Sequence, residues 1–109
     1  MPRKQAASRA PERRRICDDP EKAEQVSEVL KAVAHPLRVR IIPLLCQGPK
    51  HVNELSECLK TRQAIVSQQL RILRMRRLVA ATRTNGHALY RIEEPQLHEL
   101  IACMERCSH

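Results

Sequence analysis

Six side chains between residues 62 and 74 share one chemistry: Arg62, Gln63, Ser67, Gln68, Arg71 and Arg74. Guanidinium, amide and hydroxyl groups donate hydrogen bonds to phosphate oxygens and base edges, and an α-helix that carries them fits the major groove of duplex DNA. The apolar residues of the same stretch, Ile65, Leu70, Ile72, Leu73 and Met75, predict the opposite, inward face, with Val66 at its flank. The charge map agrees. Lys60, Arg62, Arg71, Arg74, Arg76, Arg77, Arg83 and Arg91 are basic, and no Asp or Glu lies among residues 60–91. That block equals the formal net charge of the whole chain, +8, so the remaining residues sum to zero. A solvated surface helix usually alternates signs to form i,i+4 pairs, whereas a run of one sign repels itself until a polyanion neutralises it.

A second set of reactive groups is thiols: Cys17, Cys46, Cys58, Cys103 and Cys107, an odd number with no C-x-x-C. The first residues are basic but hold no apolar segment of a secretory signal, so a disulfide framework is not expected; free, metal-binding or redox-active thiols are. Cys103 and Cys107 are spaced i,i+4, which on a helix separates their Cβ atoms by about 6 Å. A disulfide wants about 3.8 Å. A soft ion with metal–sulfur bonds of about 2.3 Å, or a longer sulfur chain, spans the gap. Cys17 or Cys46 could add a third thiolate and His109 a nitrogen. Cys58, beside Leu59, is expected to be a small buried residue, and His35, His51 and His98 to cap or to face solvent.

Five helices and a hairpin must position these groups. Residues 1–15 hold six basic residues, one acid and two prolines without periodicity, and residues 1–16 are expected to form a disordered basic arm ahead of one domain, 17–109. Asp19-Pro20-Glu21 starts the first helix, which runs to about Ala34 and is broken by His35-Pro36. The second helix spans Pro36 to about Cys46, with Leu37, Val39, Ile41, Ile42, Leu44 and Leu45 inward and distortion expected near Pro43. After Gly48-Pro49, Glu54 is placed like the acid of a capping box for a third helix with Val52, Leu55 and Leu59 inward. The basic helix then starts at Thr61 or Arg62 after a very short join, the spacing of a helix-turn-helix. Residues 78–84 and 87–92 are strand-like and flank Asn85-Gly86, the preferred pair for a type I′ hairpin, which puts Arg83, Asn85 and His87 at the tip of a wing. Pro95 opens a last helix with Leu97, Leu100, Ile101 and Met104 as a narrow stripe. The narrow stripes on the first and last helices exceed what one small domain covers, which favours a dimer.

L-K-A-V-A-H-P-L-R-V-R-I-I (residues 30–42), V-N-E-L (52–55), R-Q-A-I-V-S-Q-Q-L-R-I-L-R (62–74), L-V (78–79) and L-Y-R-I (89–92), in that order, resemble the ArsR/SmtB family of winged-helix transcriptional repressors. The resemblance implies a prokaryotic cytoplasmic homodimer joined through its first and fifth helices, bound to an imperfect palindrome in double-stranded DNA and released by an effector. Under it Gln63, Ser67 and Gln68 take base-facing and backbone-facing positions. Arg62, Ala64 and Gln69 stand where the family often has Ser, Pro and His. The metal motif of one branch, C-V-C-D-L, is H-V-N-E-L here (51–55), and Glu94, Gln96 and Cys107 do not make the zinc set of another. R-Q-A-I-V-S-Q-Q-L resembles a third, thiol-sensing branch, yet its two cysteine positions fall on Pro43 and His109, with Cys46 and Cys107 nearby but off register.

The expected fold is mainly α with a small β-hairpin, a dimeric winged helix-turn-helix. The expected function is a sequence-specific duplex-DNA-binding repressor whose DNA contacts are Arg62, Gln63, Ser67, Gln68, Arg71, Arg74, Arg77, Arg83, Asn85 and His87. Its effector set is Cys103 and Cys107 with Cys46 and Cys17, taking a soft metal or metalloid ion (arsenite, zinc or similar) or a sulfur oxidant. The alternative is a constitutive or architectural DNA-binding protein without a cysteine-based effector. An enzyme is not expected: no Gly-rich phosphate loop and no Cys/His/acid constellation is present. No run is long enough for a membrane span, and with Tyr90 the single aromatic, RNA and single strands lack a stacking platform.

Overall fold

A computed structural model describes residues 15–107. The basic arm, as far as residue 14, and His109 lie outside the described residues. The chain divides into two units, up to Leu30 and from Lys31 onward.

In the first unit, a 3-10 turn over Ile16–Asp18 leads to helix α1, Pro20–Val33, which continues into the second unit. Asp19 starts α1 as its spacing predicts: its Oδ1 accepts from the Lys22 N–H at 3.1 Å, with proline at the first helical position. Residues 20–30 bury no side chain fully, and Leu30 is 48% exposed.

The second unit holds the core. Helix α2 spans Pro36–Gln47, strand β1 Lys50–His51, helix α3 Val52–Leu59, helix α4 Gln63–Met75, strands β2 Val79–Thr84 and β3 His87–Ile92, and helix α5 Gln96–Arg106. His35 caps α2, its Nδ1 accepting from the Leu37 N–H at 3.1 Å, and α2 runs as one helix across Pro43. Ile41, Ile42 and Leu45 of α2, Leu55 and Leu59 of α3, Val66, Leu70 and Leu73 of α4, and Leu97 and Ile101 of α5 are buried together with Leu78 and Val79. Helix α4 packs on α2, α3 and β2.

Three expectations need correction. In α4 the buried stripe is Val66, Leu70 and Leu73, whereas Ile65 is 37% and Met75 74% exposed. Contacts with α2 and α3 choose the rotation of the helix, and the stripe they cover, Val66, Leu70 and Leu73, leaves Ile65 about 100° from Val66 at its edge. Val52 is only half-buried, because it opens α3 immediately after the strand. Cys58 is exposed: it lies one residue, and so about 100°, from the buried Leu59.

The hairpin forms in the expected register, Thr84 opposite His87, with Asn85 (φ 53) and Gly86 (φ 81) supplying the two left-handed residues of the turn. A third strand, which two residues are too few to announce in sequence, pairs Lys50 with Tyr90 and His51 with Leu89, so the sheet order is β1-β3-β2. It ties the wing to the start of α3. There the His51 N–H donates to Glu54 Oε1 at 2.7 Å, and the ring Nδ1–H of His51 donates to the Ala88 carbonyl at 2.9 Å. Among the described residues no helix is long and apolar enough to cross a membrane.

Candidate nucleic-acid interface

The turn between α3 and α4 must set the two helices at a fixed angle, and its hydrogen bonds do so. Lys60 takes the left-handed conformation (φ 53), the Thr61 N–H returns to the Ser56 carbonyl at 3.1 Å, and the Thr61 hydroxyl donates to the Leu59 carbonyl at 3.0 Å. The Ser56 hydroxyl donates to the Thr61 carbonyl. Helix α4 emerges from this clamp with Gln63, Ser67, Gln68, Arg71 and Arg74 exposed, preceded by exposed Arg62. Arg62, Arg71, Arg74 and Arg77 have no acidic partner among the described residues. Four exposed cations along and beside one helix without counter-charges attract a polyanion and gain by releasing its condensed ions.

The end of α4 carries a second feature. The Leu78 N–H reaches the Leu73 carbonyl at 3.0 Å and the Arg77 N–H the Arg74 carbonyl at 2.9 Å, a Schellman motif with Arg77 (φ 62) at the position glycine normally takes. A side chain there costs about 1 kcal/mol, and the arginine places an exposed cation at the end of α4. Arg77→Gly is expected to raise unfolding free energy by about 1 kcal/mol. The same change should weaken every duplex sequence alike and lower the log–log salt slope by about 1 per chain. Urea denaturation and salt titration of DNA binding read the two effects. A loss confined to one base position contradicts a phosphate role for Arg77.

The wing projects Arg83 and His87, both exposed, on either side of the Asn85-Gly86 turn. The Arg83 guanidinium donates to the Gly86 carbonyl at 3.0 Å and Arg91 to Thr82 Oγ1 at 2.6 Å, so both arginines are held along the ribbon.

One link was not legible in sequence. Arg38 of α2 donates through Nε to Gln69 Oε1 of α4 at 2.8 Å and through Nη1 to the Ala32 carbonyl, near the end of α1, at 3.0 Å. It therefore ties α4 to α2 and to the end of α1. The residues are 31 apart in sequence, and Gln69 in place of the family's frequent His was the only outward sign.

The thiols are less organised. Cys17 lies in the 3-10 turn of the first unit, exposed, with Arg15 Nη2 at 3.1 Å from its Sγ. Cys103 is exposed on α5, and Cys107, also exposed, caps it one residue past the last helical position. Cys46 is half-buried in a cleft of about 270 Å³ lined by Pro43, Gln47, His98, Ile101 and Glu105. Burial, and secondarily the Glu105 carboxylate, push the Cys46 thiol up, which leaves less thiolate at neutral pH and makes it a poor nucleophile or metal ligand. Among the described residues no cluster of three or more His, Cys, Asp or Glu could hold a metal ion. The donors among the described residues do not fit a soft-ion site within one chain.

Comparison with known proteins places this geometry. Residues 35–81 match the model of the bacterial regulatory protein arsR family. The chain is 36% identical over 83 residues to a biofilm growth-associated repressor of Agrobacterium fabrum, covering 76% of this chain and 71% of that one. The crystal structure of the transcriptional repressor BigR from Xylella fastidiosa superposes with a TM-score of 0.79 at 28% identity, covering 88% of this chain and 100% of that chain. A homodimeric winged helix-turn-helix DNA-binding domain from Mycobacterium bovis, a possible ArsR-family regulator, superposes with a TM-score of 0.69 at 29% identity, covering 79% of this chain and 80% of that one.

Proposed function

Because this chain belongs to the arsR family of bacterial regulatory proteins and is a winged helix-turn-helix transcriptional repressor, we propose that it represses as a homodimer bound to an imperfect palindrome in duplex DNA. The observation that carries the reading is the exposed face of α4, acid-free and rich in unpaired arginines, on a helix whose other face is locked in the core. In this reading Gln63, Ser67 and Gln68 address base edges in the major groove. Arg62, Arg71, Arg74 and Arg77 neutralise phosphates, while Arg83, Asn85 and His87 of the wing meet the flanking backbone. Two copies of α4 lie one DNA turn apart, about 34 Å.

Dimerisation through α1 and α5 is supported by the apolar side chains these helices leave open, Leu30 at 48% and Met104 at 40% exposed, and by the homodimeric neighbour from Mycobacterium bovis. Release is proposed to follow reaction of Cys103 and Cys107 with a sulfur oxidant or peroxide. The pair loses two electrons and two protons as an S–S bond forms; a peroxide is reduced to water, or a persulfide to a thiol and hydrogen sulfide. Since Cys107 lies past the end of α5, closing their gap of about 6 Å asks only for fraying of the last turn. The crosslink would then bias how the two subunits are set, with a coupling of about 1–3 kcal/mol, or about 5- to 150-fold in affinity.

The test is a mobility shift with duplexes selected from a randomised pool, with glutathione persulfide, hydrogen peroxide, zinc or arsenite added in turn. The wild type should release DNA with one of the first two, while the Cys103→Ser, Cys107→Ser double variant keeps its affinity and loses the response. Mass spectrometry should show Cys46 modified last. Release that survives the double substitution refutes the thiol switch, and release by zinc or arsenite alone assigns it to ion binding instead.

A further inference from the structure

Ile65 is the residue of α4 whose place most needs a reason. It occupies the first turn, it is 37% exposed, and its neighbour Val66 is wholly buried. On a helix Ile65 lies beside Gln68 (i,i+3), and the exposed Ala64 also lies beside Gln68 (i,i+4). Amid a face of arginine, glutamine and serine, this makes a small apolar surface of Ala64 and Ile65 bordering one amide.

We infer that Ile65 reads the C5-methyl group of a thymine, at or next to a pair whose adenine Gln68 addresses. The inference rests on the duplex-DNA reading above and deepens it. In the major groove an A·T pair offers N7 and N6 on adenine, which a glutamine amide matches bidentately, and the thymine methyl, the one apolar feature that any base edge presents there. A side chain that only lined the groove would gain by being polar. A β-branched apolar side chain, stiff at χ1, keeps its surface out of water only against another apolar group. The half-site recognised by α4 therefore carries an A·T pair under the first turn, and its preference over G·C has two separable parts, amide and methyl.

Thymine-to-uracil replacement deletes that methyl and leaves every hydrogen-bonding atom in place. A duplex selected by the wild type is made with thymine or with uracil, and binding of wild type and Ile65→Ala is measured to both. Loss of one buried methyl is expected to weaken wild-type binding about fourfold per half-site. Ile65→Ala should bind the two duplexes equally, and the four-way comparison cancels any effect of uracil on the duplex itself. Because Ile65 is more than a third exposed, the variant is expected to stay folded with a modestly lowered thermal midpoint, and circular dichroism checks that it is folded at the assay temperature. Equal wild-type affinity for the two duplexes overturns the inference, as does a thymine preference that survives in Ile65→Ala; either leaves the duplex-DNA reading intact. Failure of wild type to prefer any duplex over RNA sinks that reading and the inference together.

Discussion

Gln68→Ala is expected to bind its selected duplex about 1–3 kcal/mol more weakly per half-site, so a homodimer carrying the change twice loses about 2–6 kcal/mol. The side chain is exposed in the second turn of α4, and in the proposed reading its amide satisfies two atoms of one adenine. The loss falls on sequence preference. Non-specific binding and its salt slope should stay as in the wild type, because the phosphate-facing arginines are untouched. Competition by random-sequence DNA, titrated at two salt concentrations, reads both quantities. A uniform loss across all sequences would instead make Gln68 a backbone contact.

Leu70→Ala is expected to lower unfolding free energy by about 2–5 kcal/mol, a large share of the 5–15 kcal/mol or so of a typical domain. Leu70 is fully buried in the middle of the α4 stripe, between Val66 and Leu73, where α4 packs on α2 and α3. Denaturant melts give the value directly. A change below about 0.5 kcal/mol, the range of ordinary surface substitutions, would mean that α4 is turned differently in its socket. The two predictions address the two faces of one helix, so a rotation of α4 cannot satisfy both.

Much of the arrangement is legible in the residues themselves, for local reasons. Asp19-Pro20, His35-Pro36 and Glu54 mark helix starts through hydrogen bonds that reach only two or three residues, and all three form. Asn85-Gly86 marks the hairpin because few residue pairs accept two positive φ values in succession. Long-range choices are not legible in the same way. Whether Ile65 or Val66 faces inward depends on what α2 and α3 present, and both residues are apolar and β-branched. Strand β1 has too few residues to show alternation and exists only because β3 passes beside it. The tie from Arg38 to Gln69 and Ala32 joins elements far apart in sequence.

The thiols show the same limit from the other side. Spacing marks Cys103 and Cys107 as a pair, but it cannot show that α5 ends between them. Nor can it show that the desolvating cleft around Cys46 raises that thiol above its usual range, or that Cys58 faces solvent. The rotation of α4 is set inside one chain by a buried stripe, whereas the proposed thiol switch depends on how two chains would meet.

Half-site spacing tests the central claim most directly. Five base pairs inserted between the halves of a selected palindrome turn the second site to the far side of the duplex, and ten restore its facing. A dimer that holds two α4 helices in successive major grooves should lose its specific affinity with five base pairs, and should not regain it with ten unless the protein stretches by about 34 Å. Unchanged affinity at every spacing, with one chain bound per duplex, would contradict the account.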